Sequence, residues 1–144
     1  MSIDGTDYCA WEKKHPLLNL DPQQCSKKFN HGALKYLIAI SVYRPKCVFL
    51  SGPYRGGKHD LVAFREELKA KMRPGKLANV DRGFASSRPD EAMLSIPNGM
   101  DSVELNNFKS RSRLRHETLN GRLKFFKCLS DTFRHSTDVH KFAF

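Results

Sequence analysis

Leu34-Lys35-Tyr36-Leu37-Ile38-Ala39-Ile40-Ser41-Val42, followed after Arg44-Pro45-Lys46 by Cys47-Val48-Phe49-Leu50, decides the fold. The first run is rich in β-branched and aromatic residues and reads as a strand. Proline fixes its own φ and pushes the preceding residue out of the helical region, so Arg44-Pro45-Lys46 is a turn. The second run then returns as the other arm of a hairpin. Upstream, the turn formers Asp4-Gly5, His15-Pro16 and Asp21-Pro22 and the weak periodicity predict a short strand stub and then loop. Downstream, Gly52-Pro53-Tyr54-Arg55-Gly56-Gly57 is expected to break the strand. Leu61, Phe64 and Leu68 then recur at helical spacing in a helix from about His59 to Met72, stopped by Pro74-Gly75. Leu77-Ala78-Asn79-Val80 is a further short apolar run. The longest helix is expected from about Leu105 to Leu129, with Leu119, Leu123 and Phe126, extending towards Phe133, as its core stripe. Strands alternating with helices make this an α/β chain.

At 144 residues, 40% of them apolar, the chain fits one domain with a real core. Twenty-five Lys and Arg against fifteen Asp and Glu give a net charge of +10, which favours nucleic acid or another polyanion as partner over a merely solvated basic surface. No apolar run reaches the ~18 residues of a membrane span, and the N-terminus lacks the pattern of a secretory signal. Cys9, Cys25, Cys47 and Cys128 form no close pair, which argues for reduced thiols in a cytosolic or nuclear compartment. Cys9, His15, Cys25 and His31 alternate, and Cys128, His135 and His140 cluster, but neither set has the close Cys pair of a zinc finger; isolated polar or core residues are the competing reading.

Three acids stand out against this basic background: Asp4, Asp81 and Glu117. Carboxylates kept inside a polycation point to a divalent metal acting on a polyanion. Asp81 ends the run 77–80, and strand ends in α/β sheets face open crevices while the strand holds the side chain rigidly. Gly83 leaves backbone room beside it; a plain Asp-Arg-Gly turn is the competing reading. At about 100° per residue, Glu117 falls roughly opposite the stripe's middle and shares a face with Arg113, Asn120, Gly121 and Lys124. On a solvated helix it would pair with Arg113 and Lys124 in exposed ion pairs worth tenths of a kcal/mol. On a catalytic helix Glu117 would face metal, while Arg113, Lys124, Lys109 and Arg111 would hold phosphates. Asp7 is the fallback first acid. Gly56-Gly57 lacks a following GK[ST] and reads as a turn rather than a phosphate loop.

Taken in order, Ile3-Asp4-Gly5-Thr6, Gly57-Lys58-His59-Asp60, Val80-Asp81-Arg82-Gly83-Phe84 and Arg113 through Lys124 resemble the DDE superfamily endonuclease domain of Harbinger-type and related transposases. Asp81 and Glu117 are 36 positions apart, close to the spacing usual between the last two acids of integrase-like enzymes. The resemblance implies a ribonuclease H-like fold, a mixed five-stranded sheet flanked by helices, with Asp4 on the first strand, Asp81 just after the fourth and Glu117 on a helix packed against the sheet. It also implies two Mg²⁺ or Mn²⁺ ions about 4 Å apart. By analogy Asp4 bridges both and Asp81 and Glu117 hold one each. Crowded carboxylates raise one another's pKa, so full occupancy is expected only with DNA bound. His59-Asp60 belongs to a recurring motif of that family, in which Asp60 either caps the helix or supports the metal site.

Only Met1, Ser2 and Ile3 precede Asp4, and the chain stops at Phe144 in what reads as the start of a further helix. Both ends look clipped. The expected organisation is a single endonuclease domain over 1–144 without the N-terminal DNA-binding region, leaving site recognition to a separate DNA-binding protein or domain. Oligomerisation is left open, and the location would be nuclear in a eukaryote and otherwise cytoplasmic. The leading function is a metal-dependent DNA endonuclease or strand transferase. An inactive transposase-derived DNA-binding or protein-interaction module is the alternative, and an unrelated basic fold a third.

Overall fold

The computed structural model describes residues 1–11, 21, 23–26, 28, 31–44 and 46–144. His15 and the turn prolines Pro16, Pro22 and Pro45 lie outside the described residues. Six strands form a mixed sheet: β1 (Ser2–Cys9), β2 (Cys25–Ser26), β3 (His31–Ile40), β4 (Cys47–Arg55), β5 (Ala78–Asn79) and β6 (Leu94–Ser95). Their order is β2-β3-β1-β5-β6, with β4 also on β3. Among the described residues the sheet thus has six strands rather than the five implied by the resemblance. The hairpin forms as read, β3 and β4 pairing antiparallel. β1 pairs antiparallel with β3 along its whole length, from Ser2 opposite Ile40 to Cys9 opposite Ala33. β1 also meets β5 in parallel, at Ser2 and Asn79.

Alternation along the two central strands builds a core on each face of the sheet. Ile3, Leu37 and Ala39 pack with Leu61, Phe64, Val80 and Phe84 on one face. Tyr8, Leu34, Tyr36, Ile38 and Ile40 pack with Leu129 on the other, flanked by Leu119 and Leu123. Helical residues Asp60–Lys71 cover the first face, as α1 (Asp60–Ala63) continuing into a π turn and a 3₁₀ turn. The second face carries α2 (Val103–Leu123), capped by Ser102, whose hydroxyl accepts from the Leu105 amide; α3 (Lys127–Ser130) follows. Arg65 grips buried Glu91 through Nε and Nη2 at 2.6 and 3.0 Å, tying the first helical segment to the chain entering β6. These hydrogen bonds hold the Glu91 carboxyl down at about 2.

Four expectations are corrected. The N-terminal stub is a full eight-residue strand. Gly52-Pro53 does not break β4; it sits in an irregularity opposite Tyr36, where the register shifts between Lys35 and Leu37. Proline costs no ladder bond there because β4 pairs only with β3 among the described residues. Gly52 has φ 136°, and a Cβ would meet a Tyr36 ring carbon at 2.7 Å, so only glycine fits. The long helix ends at Leu123, so Phe126 is 62% exposed rather than core, while Leu129 fills that place. The helical cap before Leu61 is His59, whose Nδ1 accepts from the Leu61 amide at 3.3 Å, and not Asp60. No helix among the described residues is long and apolar enough to cross a membrane.

Phe64→Ala, in the fully buried core position, is expected to cost about 3–5 kcal/mol in urea unfolding. Phe126→Ala should stay within about 0.5 kcal/mol. Equal losses would contradict the exposed position of Phe126.

Candidate active site

The two short parallel strands set the site. Ser2 and Asn79 are partners, and two residues further on each chain come Asp4 and Asp81. Side chains alternate faces with a period of two, so Asp4 falls on the same face as Ser2, the face that α2 covers. Past this pairing the edge of β1 is open, and a cleft of about 540 Å³ lies there. Asp4, Asp81 and Glu117 all line it, with Asp7 and Asp60. This crevice lies off the carboxyl end of β5, where open α/β sheets place their sites.

Each acid is held differently. Asp4 accepts from Asn120 Nδ2 of α2 at 3.3 Å. Burial, reinforced by the neighbouring Asp60 and Asp81 charges, pushes its carboxyl up to about 7. Asp81 accepts from the Gly83 amide at 2.8 Å and so terminates its strand in the Asp-Arg-Gly turn. A Cβ on Gly83 would lie 2.9 Å from Asp81 Oδ1, so the missing side chain gives the carboxylate its room. Glu117 stands on α2 beside Arg113, Asn120, Gly121 and Lys124, the four residues expected on its face, and all five line the cleft. The buried stripe of α2 contains Lys109, Ser112 and His116, which places Glu117 on the flank of the helix rather than opposite its core side.

Asp60 and Asp7 belong to a second arrangement under the cleft. Lys35 Nζ lies 2.8 Å from Asp60 and 3.8 Å from Asp7. Ser26 donates to Asp7 at 2.6 Å. Asp60 packs so closely over Gly5 that a Cβ there would lie 2.4 Å from its carboxylate. Sequence reasoning did not single out Gly5, Lys35 or His116. The Gly5 signal was present in Asp-Gly-Thr, read there as a turn. His116 is buried, neither ring nitrogen has a hydrogen-bond partner, and burial pushes it down to about 4.

The expected phosphate ligands divide. Arg113 and Lys124 line the cleft. Lys109 is a correction: it is 5% exposed and committed, its Nζ donating to Ile96 O at 2.8 Å and to Asp101 at 2.7 Å. Arg111 lies on the other flank of α2, beside Tyr43 and Phe108. Among the described residues no group of three or more His, Cys, Asp or Glu side chains is gathered to hold a metal ion. Of the Cys/His sets, Cys9 Sγ meets only His31 Nε2, at 3.6 Å, and His140 Nδ1 instead meets Tyr36 OH, at 2.8 Å.

The folded chain holds the Asp4 proton more tightly than the unfolded chain, so this site's cost to stability is absent below about pH 3.8 and complete above about pH 7. Asp4→Asn is therefore expected to be more stable than the parent at pH 8 by roughly 1–3 kcal/mol, with the gap closing towards pH 4. Urea midpoints across this range check it; the difference cancels the opposing contribution of His116, whose stabilisation is lost as pH falls from 6.5 towards 4. A gap independent of pH would show that Asp4 is not the group responsible.

No curated protein and no solved structure matches the chain significantly. The family model described as DDE superfamily endonuclease matches residues 13–143. That span carries Asp60, Asp81 and Glu117, and the fold adds Asp4 from the strand before it. The chain belongs to the DDE superfamily endonucleases.

Proposed function

We propose that the chain is a transposase-type catalytic domain of Harbinger kind that cleaves DNA phosphodiester bonds with divalent metal at Asp4, Asp81 and Glu117. The observation that carries this is the sheet edge: Asp4 and Asp81 each stand two residues beyond the Ser2 and Asn79 pair and share one cleft with Glu117. A ribonuclease H-like sheet is part of the same reading. Without two-residue β2, five strands remain, with one acid on the first, one just past the fourth and one on a helix against the sheet. The Harbinger assignment rests on the motifs around Asp4, Asp60, Asp81 and Glu117.

The donors fit a hard cation, since every acid in the cleft offers oxygen, and Asn120 adds a buried Oδ1 without a hydrogen-bond partner. Two Mg²⁺ or Mn²⁺ ions held by Asp4, Asp81 and Glu117 would activate the attacking water or 3′-hydroxyl and stabilise the leaving oxygen. The protein's own part is positional and electrostatic. β3 anchors the strand carrying Asp4, Gly83 fixes Asp81, and the length of α2 carries Glu117. Arg113 and Lys124 are the cations placed to meet phosphate oxygens, and Lys35 balances Asp60 and Asp7 beneath them. The proton on Asp4 near neutral pH competes with metal, so in this reading metal binding by the free chain is weakened towards acid pH.

One observation favours the second reading, an inactive transposase-derived DNA-binding module: the acids are not gathered into a ligating group. Nicking of supercoiled DNA decides between the two. With Mg²⁺ or Mn²⁺ the parent is expected to nick, and Glu117→Gln and Asp81→Asn to lose about 100-fold or more. Equal nicking by parent and variants would sink the catalytic assignment. A folded parent with no nicking would favour the module.

A further inference from the structure

The flank of α2 turned away from the acids carries a second, opposite electrostatic character. At about 100° per residue, Arg111, Arg115 and Arg122 lie roughly half a turn from Arg113, Glu117 and Asn120. They face the β3–β4 turn, where Tyr43 is 87% exposed and is flanked by exposed Arg44 and Lys46. Two clefts of about 410 and 520 Å³ meet at Tyr43, and between them they are lined by all five of these cations. Neither is lined by any Asp or Glu, nor is the third cleft that reaches Tyr43 from the other side. The cleft at Asp4, by contrast, is lined by five acids.

Ion pairs among the described residues engage Lys35, Lys58, Arg65, Lys69, Lys71 and Lys109, and none of these five. The tip is nevertheless built. Arg115 Nη1 donates to the Val42 carbonyl, Ser41 N donates to Lys46 O at 2.9 Å, and the Arg44 amide donates to Ser41 Oγ at 3.3 Å. A hydrogen-bonded tip thus presents one aromatic ring beside five cations that form no ion pair among the described residues. A wholly exposed tyrosine ring is costly to hydrate and has no packing duty, whereas an unpaired base offers it a π-face and the cations suit the phosphates on either side.

We propose that this flank binds single-stranded DNA, Tyr43 stacking on an unpaired base while Arg44, Lys46, Arg111, Arg115 and Arg122 hold the backbone. Such a surface would retain the strand that leaves the duplex near a cut made on the other flank of α2. It rests on the nuclease reading only for the choice of DNA as ligand.

Fluorescence anisotropy of a labelled single-stranded oligonucleotide and its duplex, in EDTA and over a range of salt, tests it without any cleavage. Arg44→Gln/Lys46→Gln/Arg122→Gln removes three cations and is expected to lower the slope of log K against log salt by about 2 on the single strand. The triple Lys127→Gln/Arg134→Gln/Lys141→Gln has the same net charge but lies outside these clefts, and its slope should stay near the parent's. Tyr43→Ala is expected to weaken the single strand roughly 5- to 100-fold and the duplex much less. Equal slopes for the two triples, or an unchanged single-strand affinity for Tyr43→Ala, would overturn the proposal. The outcome is separable from the catalytic one: a chain that never nicks but shows this pattern leaves the surface standing, and one that nicks with equal slopes loses only the surface.

Discussion

β1 and β5 touch at one pair, Ser2 beside Asn79, and then part; the geometry of the cleft depends on that contact. A parallel neighbour continued further would cover the edge of β1 and bury Asp4 against another backbone. By leaving after one pair, β5 opens the crevice while its end still delivers Asp81 to the cleft that Asp4 lines. The opposite edge of β1 cannot move with it, because eight residues are paired to β3. Asp4 is therefore rigid on one side and accessible on the other, a combination that a carboxylate meant to meet a ligand needs and a core residue does not.

The same arrangement explains the unusual inner face of α2. A helix over a sheet ordinarily buries an apolar stripe, yet this one buries Lys109, Ser112 and His116. It is docked by polar contacts: Asn79 Nδ2 to Lys109 O at 3.0 Å, Lys109 to Asp101, and Asn120 to Asp4. Ser112 Oγ and both His116 ring nitrogens lack hydrogen-bond partners, each a cost of about 1–3 kcal/mol where water is excluded. Apolar packing resumes only at Leu119 and Leu123, beyond the acids. Stability is conceded along the polar stretch of α2 and recovered at its C-terminal end.

These features decide what could be read from sequence. The hairpin was legible because its strand composition and its turn proline are local signals. Asp81 was legible for the same reason, closing a short apolar run before Gly83. The length of β1 was not, since Asp4, Gly5, Thr6 and Asp7 interrupt its alternation: Gly5 stays small because Asp60 lies against it, and the acids line the cleft. β6 has two residues and no pattern to show. The register of α2 misled because its buried side is polar; only Leu119 and Leu123 signalled a core, and the stripe was extended to Phe126, past the end of the helix. Lys109 looked like a phosphate ligand because the chain alone does not reveal Asp101 eight residues earlier folding back to meet it.

Charge in the cleft closes the argument. Asp60 and Asp7 share Lys35, so the lower pair of acids is already balanced. Asp4 lies above them, half-buried, near Asp81, and at neutral pH it meets that crowding by keeping its proton part of the time. An approaching phosphate adds negative charge to the same crevice, and Arg113 and Lys124 at its wall offset only some of it. The free chain thus holds a proton part of the time where the proposed reaction wants a cation, and under that reading a cation taking the proton's place would relieve the same repulsion.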